Sequence, residues 1–435
     1  MPTNISNCIS NLLSIKDPNI TFSGEYSEKI IHGLKTIVYD ATLTYHAKSC
    51  VHCGNADESK IIKNGSKHST VRLLPVNGEP MAINLKKQRF LCKECGRTFI
   101  RETSLVEKNF SISRPLKAHV LRSLSQKISE KDIAFINNIS HSTVSRYIDN
   151  SFYDYLPMKN FLPKNMSFDE FKSTRDSKGS MSFIVTDLDK RSVFDIVENR
   201  QLQHLKRYFL SFERKARKKV KTVTIDIYKP YIALIKELFH NADIIFDRFH
   251  IINLLSRALL KTRIEVMKYF PTSSKEYKIL KRYWKIIQKD SNDLNDEDYK
   301  HWVHFRERRT ESGVVYEAVS VDDILKETYD IYQILLSAIK SRDKEALRKR
   351  LLLFKNKGSE YMKTAIKTLL EYFEFVGNAL DYKYSNGFTE GMNNYIKVFK
   401  RIAFGYKSFI HFRNRLLIAL RLKEMIGFKT KKMAA

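Results

Sequence analysis

The stretch Ser385-Asn386-Gly387-Phe388-Thr389-Glu390-Gly391-Met392-Asn393-Asn394-Tyr395-Ile396-Lys397-Val398-Phe399-Lys400-Arg401 gathers residue types that can do chemistry. Asn386-Gly387 is a turn signal, and the residues after it have the pattern of a helix. On a 3.6-residue period Glu390, Asn393, Asn394, Lys397 and Arg401 share one face. A carboxylate near the helix start, amides behind it and cations one and two turns later suit a metal ion beside a nucleic-acid phosphate. The carboxylate would take the metal, and Lys397, Lys400 and Arg401 would take the strand. A solvated amphipathic helix with an acid favoured by the helix dipole has the same pattern in isolation.

Four of the five cysteines form two C-x2-C pairs, Cys50-Val51-His52-Cys53-Gly54 and Cys92-Lys93-Glu94-Cys95-Gly96, with 38 residues between them. A two-residue gap lets both thiolates face one ion, and the glycine permits the tight turn. Two such knuckles predict a tetrahedral zinc site of four thiolates, structural because no position stays open. Strand-like runs at 70–74 and 89–92 make a zinc ribbon the expected local fold, and its Lys86, Lys87, Arg89, Lys93 and Arg97 suit a DNA-contacting module.

Residues 113–150 read as a helix-turn-helix: helices over 114–124 and 130–136, a turn at Asn137-Asn138, and a third helix from 140 or 141. Val144, Tyr147 and Ile148 would face inward. Ser142, Thr143, Ser145 and Arg146 would form the exposed face, and these types read bases or phosphates.

The elements that must position Glu390 precede it in the chain. Strands are expected at 165–171, 181–187 and 192–197, then a helix over 201–212 and a basic run holding Lys215, Arg217, Lys218 and Lys219. A strand over 223–226, a helix over 228–239, a strand over 242–247 and a helix opening at Arg248-Phe249-His250 come after the run. This order is that of an RNase H-like fold, a mixed sheet flanked by helices. Sites in such sheets form at strand ends, where Asp169 and Asp226 would meet if their strands are neighbours. A later helix could deliver Glu390 to the same place. Three carboxylates at one point repel unless cations bind, so Mg²⁺ or Mn²⁺ is implied. Two such ions can activate water or a 3′-hydroxyl and stabilise the leaving oxygen of a phosphoryl transfer. Asp226 and Glu390 stand 164 positions apart, so residues 256–378 read as a helical insertion.

With these motifs in order, the chain resembles the DDE transposases of bacterial insertion sequences, above all the ISL-three family. Phe168-Asp169-Glu170, Ile225-Asp226 with Tyr231 after it, Ala242 to Asp247-Arg248-Phe249-His250, the Asn386–Lys397 segment and the ending Arg401-Ile402-Ala403-Phe404-Gly405-Tyr406 carry the resemblance. It implies a triad of Asp169, Asp226 and Glu390, with Glu170 the competitor for the first place. Asp247 and His250 match a D-x-x-H motif that supports the site in related transposases. The implied activity is binding of terminal inverted repeats, metal-dependent cleavage and joining of 3′ ends to a target. Paired ends imply a homodimer or larger assembly. Lys397, Lys400, Arg401 and the 214–221 run would hold phosphates. A regulator derived from a transposase, or an RNase H-like nuclease acting on RNA or branched DNA, would share these modules.

Composition agrees with a polyanion as partner: 77 basic against 48 acidic residues give a formal charge of +29 over 435 residues. A hydrophobic content of 43% is enough for packed cores. No run of 18 apolar residues and no secretory pattern is seen, so no membrane association and a cytoplasmic, nucleoid-associated place are expected. The expected organisation is multidomain α+β: a helical segment (1–45), the ribbon (46–105), the helix-turn-helix (106–155), the core's first part (160–255), the insertion (256–378) and the core's C-terminal part (379–435).

Overall fold

Strand alternation and two glycine-assisted turns build the first part of the chain. The computed structural model describes residues 2–100, 102–151 and 155–425. These cluster into two units, one from Met1–Leu156, Thr174–Asp176 and Ile396–Ala435, the other from Pro157–Ser173 and Ser177–Tyr395. The first unit opens with α1 (Pro2–Leu12) and a five-stranded sheet of β1 (Ile20–Ile31), β2 (Leu34–Leu43), β3 (Ile61–Arg72), β4 (Met81–Cys92) and β5 (Thr98–Ile100). Its order is β1-β2-β4-β3, with β5 on β4. The expected helical segment over 1–45 is thus helical only at its start. The β1–β2 hairpin turns at His32-Gly33, where φ is 51° and 81°. A two-residue hairpin turn with both central φ positive is usually signalled by Asn-Gly, and a His-Gly pair hides it. Ile20, Phe22, Leu43, Val71, Ile83 and Leu85 fill the core beneath.

At the end of β4 the two cysteine knuckles meet. Cys50 Sγ lies 3.7 Å from Cys95 Sγ, and Cys53 Sγ lies 3.8 Å from Cys92 Sγ. A tetrahedral ion with Zn–S bonds of about 2.3 Å sets its sulfurs about 3.8 Å apart, so the thiols already have zinc-binding spacing. Each knuckle closes as its glycine demands. Gly54 donates to Cys50 O and Gly96 to Cys92 O, both glycines at positive φ.

The helix-turn-helix is built from α2 (Arg114–Ser123), α3 (Glu130–Ile136) and α4 (His141–Asn150). Ser129 and Asp132 form a capping box at the start of α3, and Ser140 caps α4. Asn138 takes the left-handed turn at φ 47°, and its side-chain amide donates to Thr36 Oγ1 at 2.9 Å. Of the four residues expected on the reading face of α4, Ser142 and Arg146 are exposed. Thr143 is buried, hydrogen-bonded to the Ser140 cap, and Ser145 is half-buried beside Glu130. The capping interaction turns Thr143 inward.

In the second unit β6 (Asn165–Lys172), β7 (Met181–Asp187) and β8 (Ser192–Val197) form an antiparallel meander. Then come α5 (Leu202–Leu210), α6 (Arg214–Lys218), β9 (Thr222–Ile225), α7 (Lys229–Leu238) and β10 (Asp243–Phe246). The sheet order is β10-β9-β6-β7-β8, with β6, β9 and β10 parallel, which is the RNase H-like mixed sheet. The long α8 (Arg248–Lys268) leads into α9 (Lys275–Arg282), α10 (Trp284–Ile287), α11 (Glu311–Val319), α12 (Asp323–Lys340), α13 (Lys344–Leu353), α14 (Glu360–Glu371) and α15 (Phe373–Asp381). The insertion is helical, but bounds at 256 and 378 cut through α8 and α15, which pack into one hydrophobic cluster with the sheet. A boundary drawn from where sequence motifs stop cannot see a helix that continues through it.

Two helices end the described chain, α16 (Gly387–Ile402) and α17 (Phe409–Met425). From Ile396 onward they group with the first unit, so residues 379–435 are not one part of the core. Ile418 joins the helix-turn-helix core of Leu116, Val120, Ile133, Val144 and Ile148. Arg415, 1% exposed, donates to Leu124 O and takes up a free carbonyl at the end of α2. His411 is clasped between Asp149 (Nδ1, 2.7 Å) and Glu130 (Nε2, 3.0 Å).

Burial works against the charged His411 ring, but Glu130 and Asp149 outweigh it and hold its pKa up at about 9. A raised folded pKa gives stability that is full below the ordinary histidine value, near 6.5, and is lost as pH rises through about 9. The melting temperature should therefore fall between pH 7 and 9.5, and His411→Gln should flatten that decline, as read by calorimetry.

Candidate active site

The period-two rule sorts the residues of β6 and β9. Met166, Phe168, Val223 and Ile225 point into the hydrophobic cluster with Phe209 of α5 and Phe239. Ser167, Asp169, Thr224 and Asp226 point to the other face. The β6–β9 pairing ends at Ser167↔Thr224, while β6 stays paired to β7 as far as Lys172. Asp169 is therefore inside a strand, not at its tip as expected, and lies just past the point where β9 leaves it. Asp226 comes directly after the last residue of β9, and Asp247 directly after the last residue of β10. Asp169 within β6, and Asp226 and Asp247 at the carboxyl ends of β9 and β10, face one crevice.

The start of α16 closes over this polar face. Ser167 donates to Asn386 Oδ1, and Thr186 Oγ1 lies 2.9 Å from Thr389 Oγ1. Asn393 Nδ2 donates to Asp169 Oδ2 at 2.7 Å. Asn393 thus sits on the buried side with Thr389, and not on the exposed face with Asn394, Lys397 and Arg401. The backbone N–H of Asn386 donates to Asp247 Oδ1 at 3.0 Å. Asp247 begins α8 without a side-chain cap bond there, so its carboxylate anchors α16 and does not cap its own helix.

Ligand-type atoms of Asp247, His250 and Glu390 all lie within 4.8 Å of one another. His250 Nε2 is 3.1 Å from Asp226 Oδ1 and links this group to the second aspartate. Asp226 Oδ1 is buried and has no aligned hydrogen-bond donor despite that short separation. A bare buried carboxylate oxygen among other acids and an imidazole fits a divalent cation. The pKa of Asp169 is pushed up to about 7 by burial, then by the charges of Asp226 and Glu170. That of Asp226 is pushed up to about 7 by burial, then by Asp247, Glu170 and Glu390. The neighbouring acid in the same cavity is Glu170. Arg200 pairs with it and Tyr231 OH donates to it at 3.1 Å.

A cavity of about 420 Å³ in this unit is lined by Asp169, Glu170, Asp226, His250, Asn253 and Arg257. Sequence motifs do not single out Asn253 and Arg257, although they stand three and seven residues after His250 and so share its face of α8. Arg200 and Ser167 escape sequence reasoning as well, since each acts through contacts distant in sequence, and Asn386 reads there only as a turn residue. The basic run behaves differently from expectation. Lys215, Lys218 and Lys219 are exposed and Arg217 half-buried, but α6 enters β9 at its amino end. Four strand residues, roughly 13 Å at 3.3 Å each, separate that end from Asp226. Lys397, Lys400 and Arg401 lie on α16 beyond Tyr395, in the stretch that groups with the first unit.

The sheet and its crevice define an RNase H-like core of the kind used for metal-dependent phosphoryl transfer. A transposase family model of the DDE, ISL-three type matches residues 166–416, and a model described as the zinc-finger of transposase IS204/IS1001/IS1096/IS1165 matches residues 46–95. The chain belongs to the ISL-three family of transposases, and its four-cysteine group is the family's structural zinc site. A Lactococcus lactis protein named "ATP-dependent protease" is 35% identical over 113 residues, 25% of this chain and 35% of that protein. The chain spans about a third of the length of that relative. The solved Drosophila P element transposase strand transfer complex aligns with 74% of this chain and 94% of its own, at 14% identity and a TM-score of 0.39.

In the metal-free protein the folded Asp169 and Asp226 hold protons that the unfolded chain releases. Stability should therefore fall as pH rises from the ordinary aspartate range, about 4, to about 7, and Mn²⁺ should restore it. Asp169→Asn should raise the metal-free melting temperature near pH 7 and abolish the response to Mn²⁺. Glu170→Gln should keep that response, as melting curves with and without Mn²⁺ would record.

Proposed function

We propose that this chain is an insertion-sequence transposase that binds the terminal inverted repeats of its element, cuts them and joins the 3′ ends to target DNA. The observation that carries this is the convergence of Asp169, Asp226, Asp247, His250 and Glu390 on one crevice of an RNase H-like sheet, in a chain of a transposase family. Mg²⁺ or Mn²⁺, held by Asp169, Asp226 and Glu390 with Asp247 and His250 beside them, would supply the activation of water or a 3′-hydroxyl and the stabilisation of the leaving oxygen.

The chain's own residues do the positioning. Asn393 orients Asp169 through a 2.7 Å bond, and Ser167 and Asp247 fix the start of α16, which carries Glu390. Arg200 and Tyr231 hold Glu170 away from the first position. Arg257, on the cavity wall, is placed to take a phosphate beside the acids. Exposed Ser142 and Arg146 of α4 would read the ends, and Lys397, Lys400, Arg401 and the α6 cations would hold backbone phosphates away from the cut. Action on paired ends calls for a dimer or larger assembly. Among the described residues no helix is long and apolar enough to cross a membrane.

Duplex DNA carrying the element's ends, incubated with Mg²⁺ or Mn²⁺, should be cut at those ends by the wild-type protein. Glu390→Gln should lower cleavage by at least a hundredfold (roughly the loss of one charge-stabilising group) while end binding changes little. Binding without cutting by the wild type would favour the regulator reading.

A further inference from the structure

The loop between α16 and α17 breaks two rules at one residue. Phe404 is 99% exposed, and its backbone lies in the left-handed region at φ 53°. The helix end itself is ordinary. Gly405 N–H donates to Lys400 O at 2.8 Å and Phe404 N–H to Arg401 O at 3.0 Å, a closure in which glycine or asparagine usually takes the left-handed place. A phenylalanine there carries steric strain from its Cβ and hydration cost from its ring, and its exposure leaves the ring no packing inside the chain that could offset either. Strain of this kind persists where function requires the side chain.

The surroundings indicate what the ring meets. From Gly391 to Lys423 the chain contains no acidic residue, while Lys397, Lys400, Arg401 and Lys407 flank the loop. Such a stretch repels a second copy of itself and attracts a polyanion. The loop also belongs to the unit that holds the helix-turn-helix. An aromatic ring held out on a strained turn between cations is the arrangement of a side chain that stacks on an unpaired base or wedges into a base step.

We infer that Phe404 is a DNA-contacting wedge that stacks on an unstacked or unpaired base, with Arg401 and Lys407 on the adjacent phosphates. The inference rests on the DNA-binding reading above but assigns a contact outside the crevice. The test uses the full chain and two short duplexes of mixed sequence, one fully paired and one with a single mismatched step, with binding read by fluorescence anisotropy. The mismatched step carries 2-aminopurine.

Wild type should prefer the mismatched duplex and brighten the 2-aminopurine. Phe404→Gly and Phe404→Asn, both at ease at positive φ, should lose that preference by roughly five- to a hundredfold and leave affinity for the paired duplex within about twofold. Phe404→Trp should retain it. The glycine variant should melt no lower than wild type, because the strain is relieved. A preference unchanged in both the glycine and asparagine variants, or an equal loss on the two duplexes, would overturn the wedge. Failure of the wild type to bind either duplex would instead overturn the DNA-binding reading itself.

Discussion

Like charges forced together in a poorly solvated crevice govern the catalytic half of this molecule. The sheet brings Asp226 and Asp247, at the ends of β9 and β10, toward Asp169 within β6, and α16 adds Glu390. Burial and mutual repulsion push Asp169 and Asp226 up to about 7. An arrangement so costly in isolation is stable only with compensation, and the polar face supplies part of it. Asn393, Ser167 and Thr186 bond across to the helix, and His250 stands against Asp226. On the proposed function a cation would supply the remainder, turning an electrostatic defect into affinity.

Adjacent acids in one strand show how neighbouring groups assign roles. Asp169 and Glu170 are chemically similar, one residue apart and on the wall of one cavity, yet they take different partners. Asp169 meets the amide of α16, and Glu170 meets Arg200 and Tyr231. The arginine pairs with Glu170, while Asp169 accepts hydrogen bonds from neutral amides. The local partners decide the matter, not the side chain's intrinsic chemistry.

Much of this was legible in the sequence because it rests on short-range pattern. The cysteine knuckles, the helix-turn-helix with its Asn138 turn, and the order of strands and helices in the core all derive from local spacing. Asp169, Asp226 and Glu390 are expected as a triad from the family resemblance, and Asp169 lies within its strand and not at the expected end. The illegible part depends on long-range pairing. The β1–β2 hairpin hides behind a His-Gly turn, and Thr143 is drawn inward by a cap. Arg257 reaches the cavity through the packing of α8, and Arg200 reaches Glu170 from beyond β8. The basic run before β9 illustrates the same limit, since charge marks it as a nucleic-acid contact but only strand direction places it at the far end from Asp226.

The helix-turn-helix is finished by the last helix of the described chain. Ile418 fills its core and Arg415 reaches the carbonyl of Leu124, a contact that spans 291 positions of sequence. On a ribosome adding about 5–20 residues per second, those partners emerge roughly 15–60 seconds apart. The helix-turn-helix therefore waits, incompletely supported, until every acid of the crevice has been synthesised. A message broken anywhere before α17 yields a chain whose helix-turn-helix lacks the side chains that complete its core, so a truncated copy would lose that fold first.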